Sequence, residues 1–227
     1  MKDLKEYLTE GFKLNKNYKN PYNYRPKNKQ ELKKLIKQLI DERGNNADLN
    51  DIDTSKIRNM SELFYNCSNF NGDISNWDVR NVKTMQSMFM GSKFNRDISS
   101  WDVRNVTNMS YMFAHSDFNG DLSKWNVSKV EFMVGMFMRS KYTGKNGDLS
   151  VWDVSHVKNM SCMFEYSIFD GNLSNWNVSN VQDMYSMFLD SKFTGDLSKW
   201  DVSSVKTMKS MFIGSPLDEK EPAWYEN

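Results

Sequence analysis

The residues of this chain whose types could do chemistry are two acidic columns, two histidines, two cysteines and a row of methionines. Asp78, Asp102, Asn126, Asp153, Asn177 and Asp201 form one column; Asp73, Asp97, Asp121, Asp148, Asn172 and Asp196 form the other. Carboxylates held in register suit a bound cation or a polar face offered to a ligand. Calcium-binding repeats use Gly-Asp turns like those of the second column. Their G-G-x-G-x-D signature is absent here, however, and Arg96 stands at one of the glycine positions. Asp side chains bonding turn amides account for that column without a metal. The first column follows a recurring Trp and alternates to the outer side of an extended segment. Two unit charges about 4.8 Å apart repel by roughly 0.9 kcal/mol in water. Asn126 and Asn177 relieve that repulsion, and Arg80 and Arg104 offset it. Asp78, Arg80, Ser100, Asp102, Arg104, Asn126, Asp153, Asn177 and Asp201 are therefore the candidate binding face, with a simple solubilising row as the alternative. Charge reversal at Asp102 and Asp153 is expected to weaken binding and leave unfolding nearly unchanged.

The remaining reactive residues assemble no catalytic set. His115 and His156 occupy different columns, and no Cys-His-acid group is discernible. Cys67 and Cys162 also occupy different columns, which fits two separate thiols better than a disulfide. Gly144-Lys145-Asn146 lacks the lead and the Ser/Thr of a phosphate-binding loop. Thirteen of the sixteen methionines fall in two columns. Thioethers favour soft Cu(I), but core filling against Phe and Trp explains these columns more simply. No enzyme activity, metal or cofactor is expected.

These columns are set by an internal repeat. Trp77, Trp101, Trp125, Trp152, Trp176, Trp200 and Trp224 are spaced by 24 residues, with one step of 27. Aliphatic residues three before each Trp and two after it keep the same beat. So do Val82, Val106, Val130, Val157, Val181 and Val205, and a Met-Phe pair ending in Phe89, Phe113, Phe137, Phe164, Phe188 and Phe212. Three extra residues near Gly144–Asn146 account for the long step, and every apolar column resumes after them. An imperfect first unit begins at Asp48, with Ile52 in the Trp column. The pattern I-x-x-W-x-V predicts a short strand, and V-x-x-M-x-x-M-F, spaced 3, 3 and 1, predicts a one- to two-turn helix. One unit cannot bury its own apolar face, so units must stack. The expected fold is an α/β repeat solenoid, leucine-rich-repeat-like. It would have about seven 24-residue coils, each a short parallel strand plus a short helix, and an N-terminal helical cap.

The unit I-x-x-W-[DN]-V-x-x-V-x-x-M-x-x-M-F-x-x-S-x-F resembles the BspA-like leucine-rich-repeat surface proteins, in their Mycoplasma-lipoprotein-associated branch of WDVSNVxxMxxMF repeats. The resemblance covers residues 48–227. It implies a right-handed solenoid that binds or adheres at a cell surface without catalysis.

Residues 1–47 form a separate basic segment, with twelve Lys/Arg against six Asp/Glu, ahead of an acidic repeat region at 48–227. A solvated helix face explains the lysines more simply than nucleic-acid binding does. Asn28, Glu31 and Gly44 mark a capped helix whose stripe Leu32, Leu35, Ile36, Leu39 and Ile40 should cover the first coil. A weaker stripe, Leu4, Tyr7, Leu8 and Phe12, is a candidate docking element. The charged N-terminus has no secretory h-region, and no apolar run reaches membrane-spanning length. Synthesis in the cytosol is expected, with arrival at a cell or virion surface by a route the sequence does not show. The expected function is recognition of a protein or glycan through the polar strand face. The alternative is a structural or decorating part of a larger assembly, such as a virus particle, attached through the N-terminal segment.

Overall fold

The computed structural model describes residues 22–225. Its first element is the helix α1, Lys29–Arg43. Asn28 caps it, with Oδ1 accepting the Glu31 amide at 3.0 Å, and Glu31 Oε2 accepts the Lys27 amide at 2.9 Å. At the far end Gly44, at φ 84°, donates its amide to the Ile40 carbonyl, a conformation that suits glycine. Leu32, Ile36 and Leu39 are buried in the same core as the first coil, so α1 closes that end of the stack. Lys33, Lys34 and Lys37 lie on its exposed side. The aromatic linker before α1 joins in as well: Tyr24 pairs in parallel with Ile52, and the Asn23 amide donates to the Asp51 carbonyl.

Beyond α1 the chain is a parallel stack of coils built from turns. Within one coil the Trp77 amide donates to Ile74, Val82 to Val79, Met88 to Met85 and Ser92 to Phe89, all at 2.9–3.1 Å. The same turns recur at 24-residue steps. Between coils, the amides of Met85, Ser87, Phe89 and Gly91 donate to the carbonyls of Asn108, Ser110, Met112 and Ala114 at 2.8–3.0 Å. Isolated parallel bridges link Asn59, Thr84, Asn108, Phe132, Asn159, Asp183 and Thr207 in succession.

The expected strand-plus-helix coil is therefore overturned. Among the described residues the helices are α1 and a single 3-10 turn, Leu149–Val151, and parallel pairing is confined to isolated bridges rather than strands. The reason is where the amides go. In an α-helix Phe89 would donate to the carbonyl four residues back; here it donates to Met112 in the next coil. Left-handed residues make this happen. Two positions per coil have positive φ, beginning with Glu62 and Asn66, then Ser87 and Gly91, then Tyr111 and His115. Each turns the chain so that every second amide points along the stack. A non-glycine residue pays about 1–2 kcal/mol for this conformation. The inter-coil hydrogen bonds, about 0.5–1.5 kcal/mol each, and the packing beneath them offset that cost. The I-x-x-W-x-V segment likewise spends its amides in tight turns and makes no continuous ladder.

The core consists of the repeated apolar columns. The rings of Phe64, Phe89, Phe113, Phe137, Phe164, Phe188 and Phe212 stack at 5.4–5.9 Å between centroids. A second ladder runs Phe70, Phe94, Phe118, Tyr142, Phe169, Phe193 at 6.1–6.4 Å. Trp77, Trp101, Trp125, Trp152, Trp176 and Trp200 are all buried, and each indole Nε1 donates to an aliphatic-column carbonyl of the preceding coil at 2.8–3.2 Å. Trp224 repeats that bond to Leu197 at 2.8 Å. This explains why the column is Trp rather than Phe: the ring fills the core and its N–H fastens one coil to the last. The insert near Gly144–Asn146 stays in a loop, and Met160 and Phe164 beyond it are fully buried. At the C-terminal end Val202, Val205 and Met208 are only partly buried, because no further coil covers them among the described residues.

Candidate functional site

The acidic columns of the sequence turn out to be turn caps. Asp78 Oδ1 accepts the Arg80 amide at 3.1 Å, and its Oδ2 accepts Arg80 Nη2 at 2.8 Å. Arg104 Nε donates to Asp102 Oδ1 at 2.7 Å. Asn126 and Asn177 each accept the amide and hydroxyl of the serine two residues on, and Asp153 and Asp201 accept the amides of Ser155 and Ser203. Ser100 is exposed, and its hydroxyl reaches the Ser75 carbonyl at 3.3 Å. The second column does the same: Asp73, Asp97, Asp121, Asp148, Asn172 and Asp196 cap Ser75, Ser99, Ser123, Ser150, Ser174 and Ser198.

Electrostatics follow this geometry. The backbone amides of Ser75, Ser99 and Ser198 hold Asp73, Asp97 and Asp196 below the usual carboxylate range, and the Arg80 guanidinium does so for Asp78. The Ser155 and Ser203 hydroxyls depress Asp153 and Asp201. All of these carboxylates are charged at neutral pH and engaged with their own turns. Reversing one removes a cap, which is expected to cost stability as well as alter the surface; the caps thus tie this face to folding. Among the described residues no group of three His, Cys, Asp or Glu is placed to hold a metal ion.

Neither cysteine is poised as a nucleophile. Both are free thiols. Burial and a hydrogen bond with Glu165 push the Cys162 thiol up to about 12, and burial also raises Cys67. At neutral pH each is a thiol rather than the reactive thiolate.

A different surface stands out once the turns are assigned. The left-handed segments present their outward side chains together, and these do not repeat. Tyr65, Tyr166 and Tyr185 are 44%, 42% and 45% exposed. On neighbouring coils, the Tyr111 amide donates to the Val134 carbonyl, Cys162 to Tyr185, and Tyr166 to Leu189. These backbone bonds set Tyr111 beside Val134, Cys162 beside Tyr185 and Tyr166 beside Leu189 on successive coils. The Arg139 guanidinium lies 4.1 Å from the centre of the Tyr166 ring, and Tyr166 also bonds Asp190. Gly135, at φ 55°, leaves room for the Tyr111 ring; a Cβ there would run into it. Sequence reasoning missed this face because its residues come from different columns and share no identity. The available signal was variation itself at the positions around the Met-Phe pair.

The chain is a repeat protein whose apolar columns form one continuous core and whose coils are joined by parallel backbone hydrogen bonds. A family model described as "Mycoplasma protein of unknown function, DUF285" matches residues 30–147 and 138–224, and the chain belongs to that family. This is the BspA-like/Mycoplasma repeat family to which the sequence pattern pointed. No curated protein and no solved structure matches the chain. No helix among the described residues is long and apolar enough to cross a membrane. The N-terminal stripe Leu4, Tyr7, Leu8 and Phe12 lies outside the described residues.

Proposed function

We propose that this chain is a non-enzymatic binding module that recognises a protein through the side formed by Tyr111, Arg139, Tyr166, Tyr185 and Leu189. One observation carries the reading: the acidic columns and the aromatic columns are both consumed by turn closure and core, whereas this side holds half-exposed tyrosines with an arginine against a ring. Tyr, Met and Arg are the residue types enriched where proteins bind proteins. Tyrosine is rigid and amphipathic, so it contributes contact area at small entropic cost. Left-handed turns set these side chains on a hydrogen-bonded frame, which is the preorganisation a recognition surface needs.

The test is affinity capture with the wild-type chain and with a variant carrying Arg139→Glu, Tyr166→Ser and Tyr185→Ser. A partner is expected to be retained by the wild type and lost by the variant, at equal unfolding midpoints. An identical set of retained molecules, or retention of glycans by both, would refute the reading. A parallel Asp153→Lys variant is expected to keep the partner while losing stability.

A further inference from the structure

The two ends of the stack differ in what their backbones offer. Inside it each coil donates every second amide to the carbonyls of the next: Met184 to Thr207, Ser186 to Lys209 and Phe188 to Met211, at 2.9–3.0 Å. The matching amides of the last coil, on Met208, Ser210 and Phe212, have no acceptor among the described residues. Only the next in the row, Gly214, is closed, by the Asp218 carboxylate at 2.9 Å. Beside this row Val202, Val205 and Met208 are partly buried and Ile213 is half-exposed.

The first coil offers the converse. Met60, Glu62 and Phe64 donate forward to Thr84, Gln86 and Met88. By the same repeat the carbonyls of Asn59, Ser61 and Leu63 face the opposite end, and no amide reaches them among the described residues. The helix α1 lies over this end: Leu32, Ile36 and Leu39 join the core, and Lys29 Nζ donates to Ser61 Oγ at 3.0 Å. A helix keeps its interior amides for itself, so α1 covers apolar side chains without supplying that row with donors. Its fit is also incomplete, with a groove of about 510 Å³ left against Leu63, Tyr65 and Cys67.

The donor row and the acceptor row share one register. Set end to end, Met208, Ser210 and Phe212 of one copy meet Asn59, Ser61 and Leu63 of another as successive coils meet within the chain. The apolar columns continue through that junction, Val205 onto Ile57 and Met208 onto Met60. Like charges meet as well, Asp201 with Asp53 and Lys206 with Arg58, as Asp78 and Asp102 already do inside the stack. Two donor rows cannot pair with each other, so the contact is heterologous, head to tail. We propose that α1 is a removable cap, and that the C-terminal edge of a second copy takes its place on the first coil.

The experiment mixes two full-length chains, both with Cys67→Ser and Cys162→Ser, one carrying Asn59→Cys and the other Thr207→Cys. These positions are the two ends of the column of parallel bridges, and neighbours in such a column lie within disulfide reach. Mild oxidation is expected to trap the 59–207 heterodimer in excess over either homodimer. Leu32→Ser with Ile36→Ser in the first chain loosens α1 and is expected to speed trapping about tenfold by raising the open fraction. Val205→Lys with Met208→Lys in the second chain is expected to abolish it. Absence of the heterodimer, an equal yield of the 207–207 homodimer, or trapping untouched by the two lysines would overturn the proposal. If loosening α1 unfolds the stack, the pair with α1 intact decides by the same outcomes.

Discussion

Tyr142 tests the core with a single atom. It occupies the second aromatic ladder, between Phe118 at 6.4 Å and Phe169 at 6.1 Å, where every neighbouring coil has Phe. Its ring is fully buried, its hydroxyl has no hydrogen-bond partner, and burial pushes its ionisation well above the usual tyrosine value. A buried hydroxyl with no partner costs about 1–3 kcal/mol. Removing it in Tyr142→Phe leaves a void of roughly 10–15 Å³, worth about 0.3 kcal/mol at about 24 cal/mol per Å³. The hydroxyl dominates, so the substitution is expected to stabilise the protein by about 1 kcal/mol or more. In a chain of this size that raises the unfolding midpoint by about 2–4 °C. Urea unfolding followed by tryptophan fluorescence reads the free energy and thermal unfolding the midpoint, since all seven tryptophans belong to the repeat column. The reverse substitution, Phe118→Tyr, should cost a comparable amount. Loss of stability on removing the hydroxyl would refute the reasoning, because the oxygen would then have to be engaged in a bond.

Other consequences follow from the same geometry. Trp125→Phe removes the indole bond to the Ile98 carbonyl and part of a buried ring, and is expected to cost about 2–3 kcal/mol by denaturant unfolding; the half-buried Trp224→Phe should cost less. Ser186 has φ 52° and a buried hydroxyl without a partner, so Ser186→Gly is expected to gain about 1–2 kcal/mol, whereas Gly135→Ala, at φ 55° and against the Tyr111 ring, should lose stability. The capping carboxylates have folded-state values below their unfolded ones. Their contribution is therefore complete above about pH 4 and is withdrawn as pH falls through the folded-state values, which an acid titration of the unfolding midpoint will show.

What the sequence disclosed depended on whether the cause was local or repeated. The cap of α1 was readable because Asn28, Glu31 and Gly44 act within a few residues of one another. The burial of Trp101, Val106 and Phe113 was readable because stacking forces the same residue type into each coil. The helix was misread because apolar spacings of 3, 3 and 1 suit a chain of turns as well as a helix. The deciding feature, positive φ at residues such as Ser87, Tyr111 and Arg139, is announced by glycine at only a few of those positions. The indole bonds were invisible because their acceptors are backbone carbonyls about 27 residues away. The Asp78 and Asp102 column was readable as outward-facing, but its engagement with Arg80 and Arg104 in turn closure shows only in three dimensions.

The repeated residues build the stack, and in the proposed function the variable ones on its tyrosine side make contact. Site-specific photocrosslinking tests this most directly, with a photoreactive phenylalanine placed at Tyr166, Tyr185, Asp153 or Asp201 in turn in cells producing the chain. Adducts to a discrete protein from Tyr166 and Tyr185, and none from Asp153 and Asp201, are the expected result. Adducts from the Asp positions alone would contradict the account and return recognition to the acidic column.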